Sequence, residues 1–137
     1  MSNLSITAAS VQVTSTIPLT RGVAGATIGA GDALYVDTSD SNKLKLAVAT
    51  SAAAAVFVGI ATHAALAGQP ILYIPAGAIT IGATLAVGTV YVVSATAGKI
   101  CPVADLVAGN YLTIIGMPSS TTVLEVYPKA SGTALAA

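Results

Sequence analysis

"GIATHAALAGQPILYIPAGAITIGATLAVGTVYVV", residues 59–93, decides the fold of this chain, because it is rich in apolar residues and holds no Asp, Glu, Lys or Arg. The charge-free run extends over residues 46–98, length enough for two membrane spans of about 20 residues each. Gly59, Gly68, Gln69, Pro70, Pro75, Gly77, Gly82 and Gly88 interrupt it. Breaks at that density leave no continuous helix to cross the hydrocarbon, so no membrane association is expected. Between the breaks lie strand-length pieces of Val, Ile, Leu, Thr and Tyr, such as 71–74 and 89–93. Short β-prone runs bounded by Gly and Pro are the signature of an all-β protein.

The same reading along the chain predicts strands at 10–14, 33–36, 44–47, 56–61, 71–74, 78–81, 90–93, 100–102, 111–117 and 123–127. Alanine-rich 50–55 and 62–67 each allow one short turn of helix. An internal repeat is visible: GDALYVDTSDSNKLKLA from Gly31 matches GTVYVVSATAGKICPVA from Gly88, with Tyr35 and Tyr91, and Lys43 and Lys99, each 56 positions apart. VFVGIA and LTIIGMP then follow, with Gly59 and Gly116 separated by 57, and a further strand comes after each. Two copies are too few for a solenoid. The prediction is a compact β-barrel or β-sandwich of about ten short strands from two pseudo-repeated hairpin units. An extended N-terminal arm (1–21) precedes the β domain (22–129), and a flexible C-terminal tail (130–137) follows it.

The 137 residues suffice for one domain, burying roughly two-thirds of the unfolded surface. Five Lys and Arg balance five Asp and Glu, so there is no basic stripe and no nucleic-acid partner is expected. Charged residues are 7% of the chain, against about 25% in ordinary soluble domains. Near-zero net charge and small side chains point to a protein that assembles. Cys101 is the single cysteine, which excludes an intrachain disulfide. The N-terminus lacks a basic region followed by an apolar one, so synthesis in the cytosol is expected.

Catalysis needs convergent polar groups, and few are present. His63, the single histidine, sits in THAALAG and reads as a hydrogen-bonded loop residue, and Cys101 in KICPVA reads as a small buried hydrophobe. Gly22, Gly25, Gly29 and Gly31 fit neither phosphate-loop spacing and read as turn glycines. Asp37, Ser39, Asp40 and Asn42 carry oxygen ligands but lack the Gly and Glu of a calcium loop, and read as a polar hairpin turn. Asp105 and Glu125 are the only acids beyond residue 40, and Tyr73, Tyr91, Tyr111 and Tyr127 without any Trp make a poor carbohydrate platform. No catalytic, cofactor or metal site is expected, and the chain is read as no enzyme.

The first twenty residues are rich in Ser and Thr, with Leu4, Ile6, Val11, Val13, Ile17 and Leu19 interspersed. Such a segment suits an arm that adds as a strand to another sheet. The order GAGDALYVDTSDSNKLKLAVA, VFVGIATHAALAGQPILYIPAGAITIGATLAVG, then YVVSATAGKICPVADLVAGNYLTIIGMPSSTTVLEVY resembles the head decoration, or cement, proteins of tailed bacteriophages over residues 22–128. The resemblance implies a β-rich protein, made in the host cytoplasm, that binds the outer surface of the expanded head. There it clamps copies of the major capsid protein, often as a homotrimer. The six arm residues named above are then the candidate capsid contacts. Other readings are a tail- or fibre-associated virion protein, and a receptor- or glycan-binding module contacting its ligand through the 37–42 turn or the 62–69 loop.

Overall fold

The computed structural model describes residues 3–13 and 19–134. Among them the chain is all-β. Its strands are β1 (Gln12–Val13), β2 (Thr20–Val23), β3 (Ala33–Asp37), β4 (Lys43–Leu46), β5 (Gly59–Ala61), β6 (Pro70–Ile74), β7 (Gly77–Thr80), β8 (Tyr91–Val93), β9 (Ile100–Pro102), β10 (Tyr111–Pro118) and β11 (Val123–Ala134). They form two antiparallel sheets, in the order β1-β7-β11-β10-β8-β9 and β2-β6-β5-β3-β4. The arrangement is sandwich-like and not a closed barrel.

With β1 set aside, the two orders are the same, so that β2 to β6 correspond one for one to β7 to β11. The sequence repeat is therefore a repeat of topology, one unit per sheet. Tyr35 stands opposite Lys45 in the β3–β4 hairpin, and Tyr91 opposite Pro102 in β8–β9. The repeat glycines are equivalent too: a Cβ on Gly59 would strike the Ile74 carbonyl oxygen at 2.6 Å, and one on Gly116 would overlap the Glu125 carbonyl. Both glycines let neighbouring backbones close up.

One strand lay outside the sequence prediction. Thr20–Val23 falls across the expected boundary between arm and domain, yet it pairs with β6 over Pro70–Tyr73. β11 carries on to Ala134, where that residue pairs with Tyr111, beyond the boundary expected at 129; residues 135–137 are outside those described. Of the two short helical turns allowed by the sequence, 50–55 holds one, closed by the Ala55 amide on the Ser51 carbonyl four residues back at 2.9 Å, whereas 62–67 instead makes an antiparallel bridge from Ala65 to Ile28. Short 3₁₀ turns occur at Ala8–Ser10 and Val103–Asp105.

Alternation along the strands of the five-stranded sheet sends neighbours to opposite faces. Ala33, Ile60 and Ile74 join Ile79, Val92, Ile100, Ile115 and Leu124 of the other sheet in one core. Leu34, Ala61 and Tyr73 point the other way, into a second core completed by Ala24, Ile28 and Ala65 from flanking loops. Each fully buried Ile or Leu contributes about 1.5–3 kcal/mol. That is how a chain so poor in aromatics holds together.

Residues 3–13 join the edges of the six-stranded sheet. The Leu4 amide donates to the Ile100 carbonyl of β9 at 2.8 Å, Thr7 donates to Gly82 at 2.8 Å, and β1 pairs with β7.

Candidate binding surface

β11 alternates with period two in LEVYPK: Leu124 and Val126 are buried, while Glu125, Tyr127 and Lys129 project outward. Beside it on β10, Met117 stands opposite Glu125, and Ile114 opposite Lys129. Two residues separate the β10 partners Ile114 and Gly116, but three separate Lys129 and Val126, so β11 carries an extra residue. Pro128 falls at this bulge, a position where its missing N–H is tolerated. The result is an apolar cleft of about 270 Å³ lined by Ile114, Gly116, Met117, Glu125, Tyr127 and Lys129. Tyr127 is 76% exposed and Met117 46%. Among the described residues, neither Glu125 nor Lys129 has an ion-pair partner.

A second groove, of about 390 Å³, lies between the N-terminal segment and β7, lined by the hydroxyls of Ser5, Thr7, Ser10, Thr80, Thr84 and Thr122 with Gly82 and Ala83. No aromatic or charged side chain lines it.

The arm residues proposed as capsid contacts lie elsewhere. Leu4, Ile6, Val11, Val13 and Leu19 are half-buried against the main core of their own chain; Ile17 is outside the described residues. Strand addition by this segment takes place within the chain, as β1 on β7.

Asp32, Asp37, Lys45, His63 and Cys101 are bound into the framework. Asp37 and Lys45 pair diagonally across the β3–β4 hairpin, with Lys45 Nζ 2.7 Å from Asp37 Oδ2 and 3.1 Å from Asp40. Ser41 and Asn42 take left-handed backbone there, at φ 56° and 59°, as a polar hairpin turn requires. The Lys45 ammonium, with help from Ser39, holds the Asp37 carboxyl down at about 2. Asp32 accepts the Gly29 N–H at 2.8 Å, yet burial raises its pKa. His63 accepts the Leu72 amide on Nε2 at 3.1 Å, which leaves Nδ1–H to donate to the Ala64 carbonyl at 2.9 Å. Both ring nitrogens thus brace the 62–72 hairpin. Cys101 is fully buried, and desolvation pushes its thiol pKa up, the reverse of what a nucleophile needs.

Among the described residues no three His, Cys, Asp or Glu side chains gather as a metal-binding group, and no helix is long and apolar enough to cross a membrane. Sequence reading noted Tyr127 and Glu125 singly and missed the outer face they share. The signal was the alternation of LEVYPK against its neighbour LTIIGMP. No family model, curated protein or solved structure matches this chain.

Proposed function

We propose that this chain is a virion structural protein that binds the outer surface of a phage head and stabilises the capsid shell. The observation that carries the reading is where unsatisfied surface lies. Met117 and Tyr127 stand exposed on an outward sheet face, while His63, Cys101, Asp37 and Lys45 are engaged in contacts that serve the fold. That distribution supports a molecule that acts by binding. Apolar surface within a polar rim suits protein–protein contact, and many weak contacts on a lattice sum to strong attachment.

The resemblance of residues 22–128 to head decoration proteins favours the major capsid protein as partner and the virion exterior as location. A tail- or fibre-associated role would use the same kind of surface. The hydroxyl groove offers a glycan no aromatic platform; a receptor module would instead use the 37–42 turn or the 62–69 loop.

The test is co-sedimentation of the purified protein with expanded capsids lacking it and with unexpanded precursors, together with the melting temperature of each shell. Saturable binding to expanded shells with a raised melting temperature is expected. Absence of binding to both forms would overturn the reading.

A further inference from the structure

We infer that the outer face of β10–β11 is a self-complementary contact through which two copies of this chain pair about a two-fold axis. The inference does not depend on the capsid reading, since it concerns the isolated protein; because it takes the face that reading leaves open for the capsid, a shell contact through Met117 and Tyr127 would compete with pairing.

Charge and spacing carry it. Glu125, Tyr127 and Lys129 line one cleft on the same side of β11, and because the bulge sets Glu125 and Lys129 against Met117 and Ile114, three residues apart on β10, the acid and the base lie about 10 Å apart along the strand with the tyrosine between them. A two-fold axis lying between two such faces, perpendicular to β11 at Tyr127, reverses the strand direction. It sets Glu125 of each copy against Lys129 of the other. The same operation acts on β10, where Met117 is level with Glu125 and Ile114 with Lys129: Met117 of one copy meets Ile114 of the other. Tyr127 meets its own mate. Every group on the face therefore finds a partner of suitable chemistry, the defining property of an isologous interface. Aromatic and Met side chains at the centre with charges at the rim is also the composition such contacts favour. Neither charge is neutralised within its own chain among the described residues, and the cleft beside Tyr127 is available to the opposing ring. A trimer, by contrast, joins unlike surfaces head to tail and would not make these two residues reciprocal.

The experiment is sedimentation equilibrium of the purified full chain over a wide concentration range, with Glu125→Lys, Lys129→Glu, the double exchange Glu125→Lys/Lys129→Glu, and Tyr127→Ala. Wild type is expected to form dimers. Each single reversal sets like charges together at both ends and should weaken pairing about tenfold or more, as should loss of the tyrosine. The double exchange should restore dimers, and an equimolar mixture of the two single variants should form heterodimers, a rescue that general destabilisation cannot give. Circular dichroism of each variant confirms folding. A wild type monomeric throughout, a trimer indifferent to the reversals, or single variants that do not pair on mixing would each overturn the inference.

Discussion

The hydroxyl of Thr113 in β10 donates to the carbonyl of Ala55, in the segment leading to β5, and so ties one sheet to the other across their shared core. Both residues are buried. The carbonyl also accepts the Phe57 amide at 2.9 Å, so it keeps one partner when the threonine is replaced. Thr113→Val preserves shape and removes only the donor. It should lower the unfolding free energy by about 1 kcal/mol, read as a shift in urea midpoint at unchanged slope.

Gly98 is a second tie. Its amide donates to Ala47 at 2.7 Å and its carbonyl accepts Ala33 at 2.9 Å, which seats the β8–β9 turn between β3 and β4 of the other sheet. Its φ is +77°, and a Cβ there would lie 2.9 Å from Leu46 Cδ2. Gly88 has a similar φ of +90° with nothing within 4 Å. Gly88→Ala should therefore cost only the backbone penalty of about 1 kcal/mol, and Gly98→Ala distinctly more, about 2–3 kcal/mol. The difference between the two melting temperatures isolates the contact with Leu46.

These ties mark where sequence reading stopped. Strand runs and the 56-residue repeat were legible because period-two burial and turn glycines are local signals, and Tyr35, Tyr91, Gly59 and Gly116 recur at matching places in the two sheets. β2 was not legible: Val23 is the one apolar side chain in TRGV and it is exposed, so the strand state comes from pairing with β6, a non-local cause. Gly22 there is bare because Leu44 fills the space its Cβ would need, at 2.6 Å. The alanines at 50–55 and 62–67 signalled helix by propensity: 50–55 makes one such turn, while Ala65 is drawn into the second core as a small filler. The β10–β11 face needed two strands in register before it became a surface, and no single strand announces that.

The hairpin ion pair sets an acid limb. Asp37 titrates at about 2 when folded, below its ordinary 3.8, because of Lys45 and Ser39. A carboxyl with a depressed folded pKa contributes stability that is present above its unfolded pKa and is lost as pH falls through the folded one. Melting temperature should therefore fall between about pH 4 and pH 2, and Asp37→Asn should flatten that slope. The pair lies part-exposed at the surface and so is sensitive to salt, and the flattening should diminish at high ionic strength.

Asp32 runs the other way. Burial raises its pKa, against the Gly29 amide and Lys99, which lower it. Folding thus disfavours its ionised form, a penalty present at neutral pH and relieved as pH falls through the raised pKa. Asp32→Asn keeps an oxygen for the Gly29 N–H and removes the charge. Its melting temperature at pH 7 should equal or exceed that of wild type, with the gap closing in acid; a large loss at pH 7 would show that the charge itself is needed.

Ile6 decides whether the N-terminal segment belongs to the fold. Its methyls lie over Gly31, where a Cβ would sit 2.8 Å from Ile6 Cγ2, and it packs with Leu4 and Val11 against the main core. Half-burial sets the cost of Ile6→Ala below that of a fully buried isoleucine, at about 1–2 kcal/mol. Gly31→Ala attacks the same contact from beneath and, at φ +89°, adds backbone strain, so it should cost more. Both variants are measured on the isolated protein, with no capsid present. An arm held in reserve for a partner would leave the melting temperature unmoved when Ile6 is cut back. A segment that fastens the β7 end to β9 would lower it, and protection of the Leu4 and Thr7 amides from hydrogen exchange should fall in step, because these two amides flank Ile6 and bond to Ile100 in β9 and to Gly82 just past β7.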